Sequence, residues 1–492
     1  MVVVNPAVLT MSRTLAITTA ILFAALPATA SPVEGQIETQ SFSDANGPFA
    51  QAVERLALRI MAMPTVKQAG AKGLQRYRTS PMGQKPDALR HVRPAIGEVA
   101  ALASLYTAMG ATADPAFVWV YAAPRRWHGY TVPGSRWYAD NVDAIYRAFR
   151  VDPQSTYEIT MQPGKELPSQ LSFMLYDFLM YENGMNAQLD IPPGAFEVTD
   201  KTLRNSDGSI TLTVGPEPAN GRSNYLQLKP GVKQVFAREI RGDGSQPAVR
   251  LSVKRTKGGA PKPKAIEELA AEAATYVAAA VDGTINRHIV FGDPTENKLG
   301  PVRVRWIEGS GSPSQKLVTD EPLGPDKALG FLSSAQFNLK EDDALVMTLN
   351  MMGAKYLSVN TYRPFAVSPE HVTRTSSLNN LQAKPNPDGS FTFVLARKDP
   401  GLFNWIDPSG IPFGALAVRW QTLTHPVVGT LANGVKEVRV VKLADLRKEL
   451  PPSTKWVTPS ERAAQRAERA RQFKLRCLGT PCEVGGKLDR MY

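Results

Sequence analysis

The chain has 492 residues, a formal net charge of +12, 43% hydrophobic residues and 21% charged residues. This length exceeds what one ordinary hydrophobic core supports and indicates two to four domains. The composition excludes an intrinsically disordered chain and is typical of a folded, water-soluble protein.

The first 30 residues have the pattern of a secretory signal. Arg13 precedes an apolar run, residues 15–26, and Ala28-Thr29-Ala30 follows it. A positive start, a short apolar stretch and small residues at a cleavage position are the parts of a signal peptide. The apolar run is shorter than the roughly 20 residues that cross a bilayer, so a retained anchor is the less favoured alternative. We expect cleavage after Ala30, a periplasmic or secreted protein, and no transmembrane segment after cleavage.

Residues 31–136 are predicted to be mainly helical. Apolar residues recur at helical spacing in two stretches: Phe49, Val53, Leu56 and Ile60, then Val92, Ile96, Val99 and Ala103. Farther along, residues 257–329 are predicted to contain a linker, which begins within "TKGGAPKPK", and a helix, "AIEELAAEAATYVAAAV".

Residues 137–256 and 330–445 are interpreted as two copies of one β-rich unit. Five matches occur in the same order: "FRVDPQSTYEIT" with "FNLKEDDALVMT", "LSFMLYDF" with "LSVNTYRPF", "DGSITLTV" with "DGSFTFVL", Asn224-Tyr225 with Asn404-Trp405, and Arg238 with Arg419. One such match can arise by chance, but five in order indicate a duplicated domain.

The repeated Asp-Gly-Ser phrase predicts a tight turn followed by a strand. Apolar residues alternate along "ITLTV" and "FTFVL", which is typical of a half-buried strand. Asp-Gly is a frequent hairpin turn because glycine adopts positive φ without steric cost. Asp207 and Asp388 are therefore predicted to be turn residues and not catalytic carboxylates.

Four segments resemble an exported bacterial family labelled domain of unknown function twelve-fourteen, which is often found with a partner, twelve-fifty-four. They are "ADNVDAIYRAFRVDPQSTYEIT", "LSFMLYDF", "DGSITLTV" and "SNYLQLKPGVKQVFARE". The resemblance covers roughly residues 137–442. It departs from the family pattern at Arg363, which follows Tyr362 where the family has Asp, and at Tyr225, where the family has Trp.

The resemblance implies β-sandwich or jelly-roll-like units and an exported protein, but no particular chemistry. The expected fold class is therefore α+β and mostly β: two tandem β-sandwich or jelly-roll-like units, a helical N-terminal segment and a basic helical tail over residues 446–492.

Common catalytic and cofactor signatures are missing from the sequence. It contains no Gly-x-Ser-x-Gly, no His-Glu-x-x-His, no phosphate loop and no dinucleotide fingerprint. None of the five histidines has another histidine or a cysteine within a few residues, so no local metal site is visible. We expect no metal and no cofactor.

The paired motifs supply one set of candidate site residues. In the first copy they are Tyr176, Asp177, Asn224 and Arg238, and in the second copy they are Tyr362, Arg363, Asn404 and Arg419. An arginine inside a strand needs a partner if it is buried. One hypothesis is a structural ion pair between Asp177 and Arg238. The other is a ligand pocket lined by Arg and Tyr side chains, in which Asp177 is a general base.

A second candidate set surrounds His128. The segment "PRRWHGYTVPGSRWYADN" combines this histidine with several aromatic and arginine residues, among them Arg136 and Trp137. Such residues can bind an anionic or ring-bearing ligand through stacking and bidentate hydrogen bonds. The alternative is a surface loop with ordinary packing.

The basic tail is predicted to be a helix, "SERAAQRAERARQFKLR", with Ser460 at its N-cap. A solvated helix is the favoured interpretation, and contact with an acidic membrane surface is the alternative. Nucleic acid is not an expected partner. Cys477 and Cys482 are the only cysteines and are expected to form a disulfide in an oxidising compartment.

Two functions remain open from the sequence. The first is an exported protein that binds a small organic or carbohydrate-like ligand, or a cell-envelope partner. The alternative is a cofactor-independent lyase, isomerase or hydrolase, with Asp177, Tyr176, His128 and Arg238 around one cavity. The second function requires those four side chains to converge in the fold.

Overall fold

A computed structural model describes residues 45–137, 139–177, 179, 194–286, 331–423 and 434–490. The predicted signal segment, residues 1–30, lies outside the described residues. Residues 287–329, the end of the predicted linker and helix segment, also lie outside them. The described part is α+β with many strands, which confirms the coarse fold class. No helix in these ranges is long and apolar enough to cross a membrane.

Three helices form the N-terminal layer: α1 (Pro48–Ala62), α2 (Pro64–Thr79) and α3 (Pro86–Met109). Each begins with proline, whose fixed φ suits the first helical turn and whose missing N–H would have no helical partner there. The later helix α4 (Ile266–Asn286) contacts all three. Their apolar stripes pack together and against one face of the first β-rich unit.

The first β-rich unit contains two sheets. A short strand β1 (Val118–Val120) enters it, and two strands outside it, β2 (Arg125–Trp127) and β3 (Tyr130–Val132), form a hairpin. The remaining strands of the unit are β4 (Ala144–Arg150), β5 (Thr156–Gln162), β6 (Gln170–Tyr176), β7 (Gly194–Glu197), β8 (Ile210–Gly215), β9 (Tyr225–Gln227), β10 (Gln234–Ile240) and β11 (Arg250–Lys257). The sheet orders are β1-β4-β10-β6-β7 and β11-β5-β8-β9.

The second β-rich unit also contains two sheets. Its strands are β12 (Phe331–Asn338), β13 (Asp343–Leu349), β14 (Ala354–Tyr362), β15 (Ser377–Asn379), β16 (Phe391–Ala396), β17 (Trp405–Ile406), β18 (Phe413–Leu423) and β19 (Val435–Lys442). The sheet orders are β12-β18-β14-β15 and β17-β16-β13-β19.

Apart from β1, which has no counterpart in the second unit, the strands of the two units correspond one to one. β4, β10, β6 and β7 occupy the same order as β12, β18, β14 and β15, and β11, β5, β8 and β9 the same order as β19, β13, β16 and β17. In both units the last pair of the second sheet, β8–β9 and β16–β17, is parallel. Each unit buries its own apolar core between its two sheets.

The Asp-Gly-Ser turns have the same hydrogen bonds in both units. The carboxylate of Asp207 accepts from the backbone N–H and the hydroxyl of Ser209, and Asp388 does the same with Ser390. These contacts confirm that both aspartates are turn residues.

The C-terminal tail packs against the second unit. It contains a short helix α5 (Leu446–Glu449), the helix α6 (Pro459–Lys474) and a short strand β20 (Glu483–Val484), which pairs with β2. The N-cap of α6 is Thr458, in a capping box with Glu461, so the prediction of Ser460 at that position was wrong. Ser460 lies inside the first turn because Pro459 already starts the helix.

The prediction that α6 is a solvated helix was also wrong for its central arginines. Arg462 and Arg469 are buried. Arg462 pairs with Asp399, and Arg469 donates to the carbonyl oxygen of His371 at 2.5 Å and to Ser377 Oγ at 2.6 Å. The arginines of this helix therefore bind the tail to its own chain.

The disulfide between Cys477 and Cys482 is present, as predicted. It lies in a small apolar cluster with Trp119 and Trp127. The Asn46 side chain donates to Thr480 Oγ1 at 2.9 Å, so the disulfide loop also contacts the start of the described chain.

Two arginines of α6 give a matched test of this packing. Arg469→Ala removes a buried guanidinium and leaves two acceptors without their donor, so we expect a loss of about 2 kcal/mol in the free energy of unfolding. Arg471→Ala is the control, because Arg471 is exposed and pairs only with the exposed Glu468, and its expected cost is below about 0.5 kcal/mol. Urea denaturation of both variants measures the difference, and equal effects would contradict the packing role.

Candidate functional site

One face of the first unit carries a row of polar side chains across four neighbouring strands. The register places Arg238 of β10 opposite Tyr146 of β4 and Ser172 of β6. Ser172 is in turn opposite Glu197 of β7. Residues paired across antiparallel strands point to the same face of a sheet, so the four side chains are neighbours. This face is the one that does not enter the core between the two sheets.

The second unit carries the corresponding row at the same register. Arg419 of β18 is opposite Ser358 of β14, and Ser358 is opposite Asn379 of β15. Four residues beyond the serine, β6 ends in Tyr176 and β14 ends in Tyr362. The two units therefore hold equivalent Arg, Ser and Tyr residues on equivalent faces.

In the second unit, the protein itself satisfies the arginine. Arg419 donates through Nη1 to Tyr362 Oη at 2.8 Å and to Asn360 Oδ1 at 3.2 Å, and through Nη2 to the carbonyl oxygen of Ala139 at 2.5 Å. Tyr362 Oη donates to the next carbonyl oxygen, that of Asp140, at 2.8 Å. We call this arrangement the satisfied arginine site.

The two carbonyl groups belong to residues 139–143, which we call the joining loop. The Tyr356 hydroxyl of the second unit lies 2.8 Å from Asp143 Oδ2 and 3.0 Å from Asn141 Oδ1. Asn379 donates to the same Asp143 oxygen at 2.8 Å. Asp143, Asn141 and Tyr356 are all buried. The joining loop therefore connects the two units through buried hydrogen bonds.

In the first unit, none of the described residues satisfies the arginine. Arg238 is half-buried and its Nε is fully buried, yet it has no hydrogen bond or ion pair to any of the described residues. Its guanidinium carbon lies 5.8 Å from the centre of the Tyr146 ring. Ser172 is fully buried, and its hydroxyl also lacks a hydrogen-bond partner in the described ranges. We call Arg238, Tyr146, Ser172, Tyr176 and Glu197 the open arginine site.

The surroundings of the open arginine site are more apolar than those of its counterpart. Met174 and Phe236 stand at the register positions of Asn360 and Ala417. The Tyr146 and Tyr176 rings lie 5.4 Å and 5.8 Å from the Phe236 ring. An apolar setting strengthens the attraction between a guanidinium and an anion, because less water screens it.

Burial controls the ionisation of the neighbouring groups. It raises the pKa of Tyr176, although Arg238 nearby lowers it, so this hydroxyl keeps its proton at neutral pH. Burial also raises the pKa of Glu197, against the opposing effects of a hydrogen bond from Gln170 and the charge of Lys355.

The structure separates two predicted residues from Arg238. Asp177 follows the last residue of β6, is exposed, and forms no ion pair with Arg238. The hypothesis of an Asp177–Arg238 ion pair was therefore wrong. His128 lies in the turn between β2 and β3, where its ring contacts Trp127 and Tyr130, and it forms no hydrogen bond or ring contact with Arg238.

Arg136 and Trp137 have structural partners. Arg136 Nε lies 3.0 Å from both Glu98 carboxylate oxygens, and Arg136 Nη2 lies 2.5 Å from Asp489 Oδ1. Trp137 is buried and donates to Thr284 Oγ1 of α4 at 3.1 Å. These two side chains connect the helices, the second unit and the tail.

The paired asparagines support loops. Asn224 has a positive φ of 48° and donates to the carbonyl oxygen of Leu203 at 2.8 Å. Asn404 is buried and donates to the carbonyl oxygens of Lys384 and Thr392. Neither asparagine contacts Arg238 or Arg419.

The predicted site residues did not include Tyr146, Ser172 and Glu197 of the open arginine site, nor Asn360 of the satisfied site and Ser358 beside it. The two serines belong to the repeated Leu-Ser-x-x-x-Tyr motif, so the motif contained the signal for them. Glu197 follows an insertion between β6 and β7 and has no counterpart in a repeated motif. Only the strand register brings it next to Ser172.

Comparisons with known proteins agree with this architecture. Residues 142–241 match the family model described as Protein of unknown function (DUF1214). That range lies within the first unit, where it confirms the family resemblance. None of the curated proteins matches the chain.

Two solved structures are similar to the protein. An uncharacterised protein from Burkholderia cenocepacia has a TM-score of 0.61 and 18% identity, and the match covers 79% of this chain and 99% of that chain. The VPA0106 protein from Vibrio parahaemolyticus has a TM-score of 0.35 and 12% identity, over 62% of this chain and 90% of that chain. The first likeness shows a shared fold, and the second is too distant to support an argument.

A groove on the second unit is a further place for a ligand. It has a volume of about 560 Å³ and lies on the outer face of that unit, but its basic residues Lys436 and Arg439 are paired with Asp388 and Glu449. In the described ranges, no group of three His, Cys, Asp or Glu side chains is arranged to hold a metal ion. Arg238 of the open arginine site, in contrast, has no ion-pair partner among the described residues.

Replacing the arginine with methionine should lower the unfolding free energy by different amounts in the two sites. Arg419→Met leaves the Ala139 carbonyl, the Asn360 side chain and the Tyr362 hydroxyl without their buried donor, at a cost of about 3 kcal/mol in unfolding free energy. Arg238→Met removes no hydrogen bond to any residue that the structure describes, so its effect should lie within about 1 kcal/mol. Urea denaturation without added ligand measures both, and similar costs would contradict the assignment of Arg238 as unpaired.

A second prediction concerns Asp140 in the joining loop. Burial raises its pKa to about 6 from an ordinary value of 3.8, although Arg136 and a hydrogen bond from Ser368 lower it, Glu98 raises it and Arg419 lowers it. A raised folded-state pKa stabilises the protein below about pH 4, and this contribution of about 3 kcal/mol is lost as the pH rises to about 6.

Asp140→Asn removes this titration while keeping an acceptor for Ser368. The variant should match the native protein in unfolding free energy near pH 4 and exceed it by up to about 3 kcal/mol at pH 7. Denaturation curves at several pH values measure the difference between the two proteins. A difference that stays constant from pH 4 to pH 7 would contradict the role of Asp140.

Proposed function

We propose that this protein binds a small organic anion at the open arginine site, with Arg238 as the residue that holds the anionic group. The observation that carries the proposal is the contrast between two equivalent arginines. Arg419 donates to three acceptors of its own chain, whereas Arg238 has none among the described residues.

A half-buried guanidinium without an ion-pair partner is costly unless a ligand compensates it. Glu197 lies two strands away in the same row, and burial raises the pKa of its carboxyl, which favours its uncharged form. Arginine pairs well with carboxylates because its planar fork can donate two parallel hydrogen bonds. The Tyr146 ring supports the guanidinium on one side, and Ser172 adds a hydroxyl beside it. These neighbours favour a ligand that combines an anionic group with polar and apolar parts.

The setting of this function is also a proposal. The signal-like residues 1–30 and the family resemblance support export to the periplasm or the medium. The corresponding strand orders support two tandem β-sandwich or jelly-roll-like modules that descend from one duplicated ancestor. Export is compatible with the disulfide between Cys477 and Cys482.

Binding is better supported than catalysis. The enzyme hypothesis requires Asp177, His128 and Arg238 in one cavity, but Asp177 is exposed and His128 packs in the β2–β3 turn. An envelope partner bound through the basic tail is also less supported, because Arg462 and Arg469 are buried against the second unit.

A thermal-shift and calorimetric screen of the full chain tests the proposal. The probes are propionate, inorganic phosphate and glucose, which represent a carboxylate, a tetrahedral anion and a neutral sugar. We expect an anion to raise the melting temperature, because a ligand that binds only the folded protein stabilises it by about 2.7 kcal/mol at 100 times its dissociation constant. Glucose should give no shift.

Arg238→Met should weaken anion binding at least tenfold, since it removes a charge-assisted hydrogen bond. The matched control is Arg222→Met, which removes the same charge from an arginine stacked on Tyr225 in an exposed turn. This control should leave anion binding unchanged. The proposal fails if no anion binds, if glucose alone binds, or if the two variants behave alike.

A further inference from the structure

The satisfied arginine site shows what kind of group the repeated Arg–Tyr pair recognises. In the second unit, two consecutive main-chain carbonyl oxygens lie against this pair: that of Ala139 on Arg419, and that of Asp140 on Tyr362. Arg419 and Tyr362 thus bind a short segment of peptide backbone that the protein's own chain supplies.

The backbone of the joining loop is shaped for these contacts. Ala139 has a positive φ of 61°, and its N–H donates to the carbonyl oxygen of Ala366 at 3.0 Å. The Asp140 side chain accepts from Ser368 at 3.1 Å. A non-glycine residue rarely adopts positive φ unless other contacts compensate the strain, so the hydrogen bonds to Arg419 and Tyr362 are part of what holds the loop in place.

The register transfers this geometry to the first unit. Arg238 and Arg419 face equivalent serines, Ser172 and Ser358. Tyr176 and Tyr362 each lie four residues beyond that serine on the same strand. The backbone positions of Arg238 and Tyr176 therefore match those of Arg419 and Tyr362. The side chains differ, because the Tyr176 hydroxyl donates to Met174 Sδ at 3.3 Å and a ligand carbonyl would have to replace this weak sulfur acceptor.

Two differences between the sites indicate how the external ligand differs from the loop. Asn360, which accepts from Arg419, is replaced by Met174 at the equivalent position, so the first unit supplies one acceptor fewer to its arginine. Phe236 stands where the second unit has Ala417. The first difference favours a ligand that brings a negative charge, and the second favours one with an apolar part.

We infer that the ligand of the open arginine site is an N-acyl amino acid or the C-terminal end of a short peptide, which presents a carboxylate and one amide carbonyl to Arg238 and Tyr176. This inference rests on the proposed anion-binding function and adds the class of ligand. The Ala139–Asp140 carbonyl pair is the intramolecular counterpart of that ligand in the second unit.

Four probes distinguish the ligand class from the function on which it rests. N-acetyl-L-alanine carries a carboxylate and an amide carbonyl, propionate carries only the carboxylate, N-acetyl-L-alaninamide carries two carbonyls without charge, and phosphate is a tetrahedral anion. Calorimetric titration of the full chain should show N-acetyl-L-alanine binding about tenfold more tightly than propionate, since one additional hydrogen bond is worth about that factor. The amide and phosphate should bind more weakly than N-acetyl-L-alanine by at least the same factor.

Two variants identify the contacts. Tyr176→Phe should lower the affinity for N-acetyl-L-alanine to that of propionate and leave propionate binding unchanged. Arg238→Met should remove binding of both, and Arg222→Met should affect neither. Circular dichroism and the melting temperature without ligand check that each variant is folded.

The outcomes separate the two proposals. If propionate or phosphate binds through Arg238 but N-acetyl-L-alanine gains nothing, or if Tyr176→Phe affects all anions equally, the ligand class is wrong and anion binding stands. If none of the four probes binds, or if binding does not depend on Arg238, both proposals are wrong.

Discussion

The arrangement of the whole molecule depends on the need to pair buried polar groups between the two β-rich units. Carbonyl groups and carboxylates of the joining loop lie away from water and would be costly without partners. Arg419 and Tyr362 satisfy two carbonyl groups, and Tyr356 and Asn379 satisfy Asp143. Because the loop belongs to the first unit and its partners to the second, these hydrogen bonds fix how the units face each other.

The two units have corresponding strand orders, and one fold therefore holds both a structural arginine site and a candidate binding site at equivalent positions. Both units carry the same Arg, Ser and Tyr positions, and the joining loop, which precedes β4 of the first unit, lies against the arginine of the second unit. In the second unit, the joining loop supplies the acceptors, so Arg419 contributes to stability. In the first unit, Arg238 keeps its position in the sheet without such a partner among the described residues, and this difference is the basis of the proposed anion site.

Repeated motifs predicted several residues correctly because they reflect local geometry. Asp207 and Asp388 are turn residues, and the disulfide joins Cys477 to Cys482. The pairing of Arg238 with Arg419 led to both arginine sites. Proximity along the chain was a poor guide, however. Asp177 is adjacent to Tyr176 but is exposed, because it follows the strand end, and the arginines of the C-terminal helix are buried by packing that composition does not reveal.

By itself, the sequence determined the elements of the protein: the helical stripes, the strands and turns of the two copies, and the equivalence of their arginines. These follow from periodicity and turn chemistry, which act over a few residues. Only the tertiary structure decided that Glu197 lies beside Ser172, and that Ala139 lies against Arg419 but no described residue pairs with Arg238. Strand register and the packing of the two units set those contacts, since they join residues that are far apart in the chain.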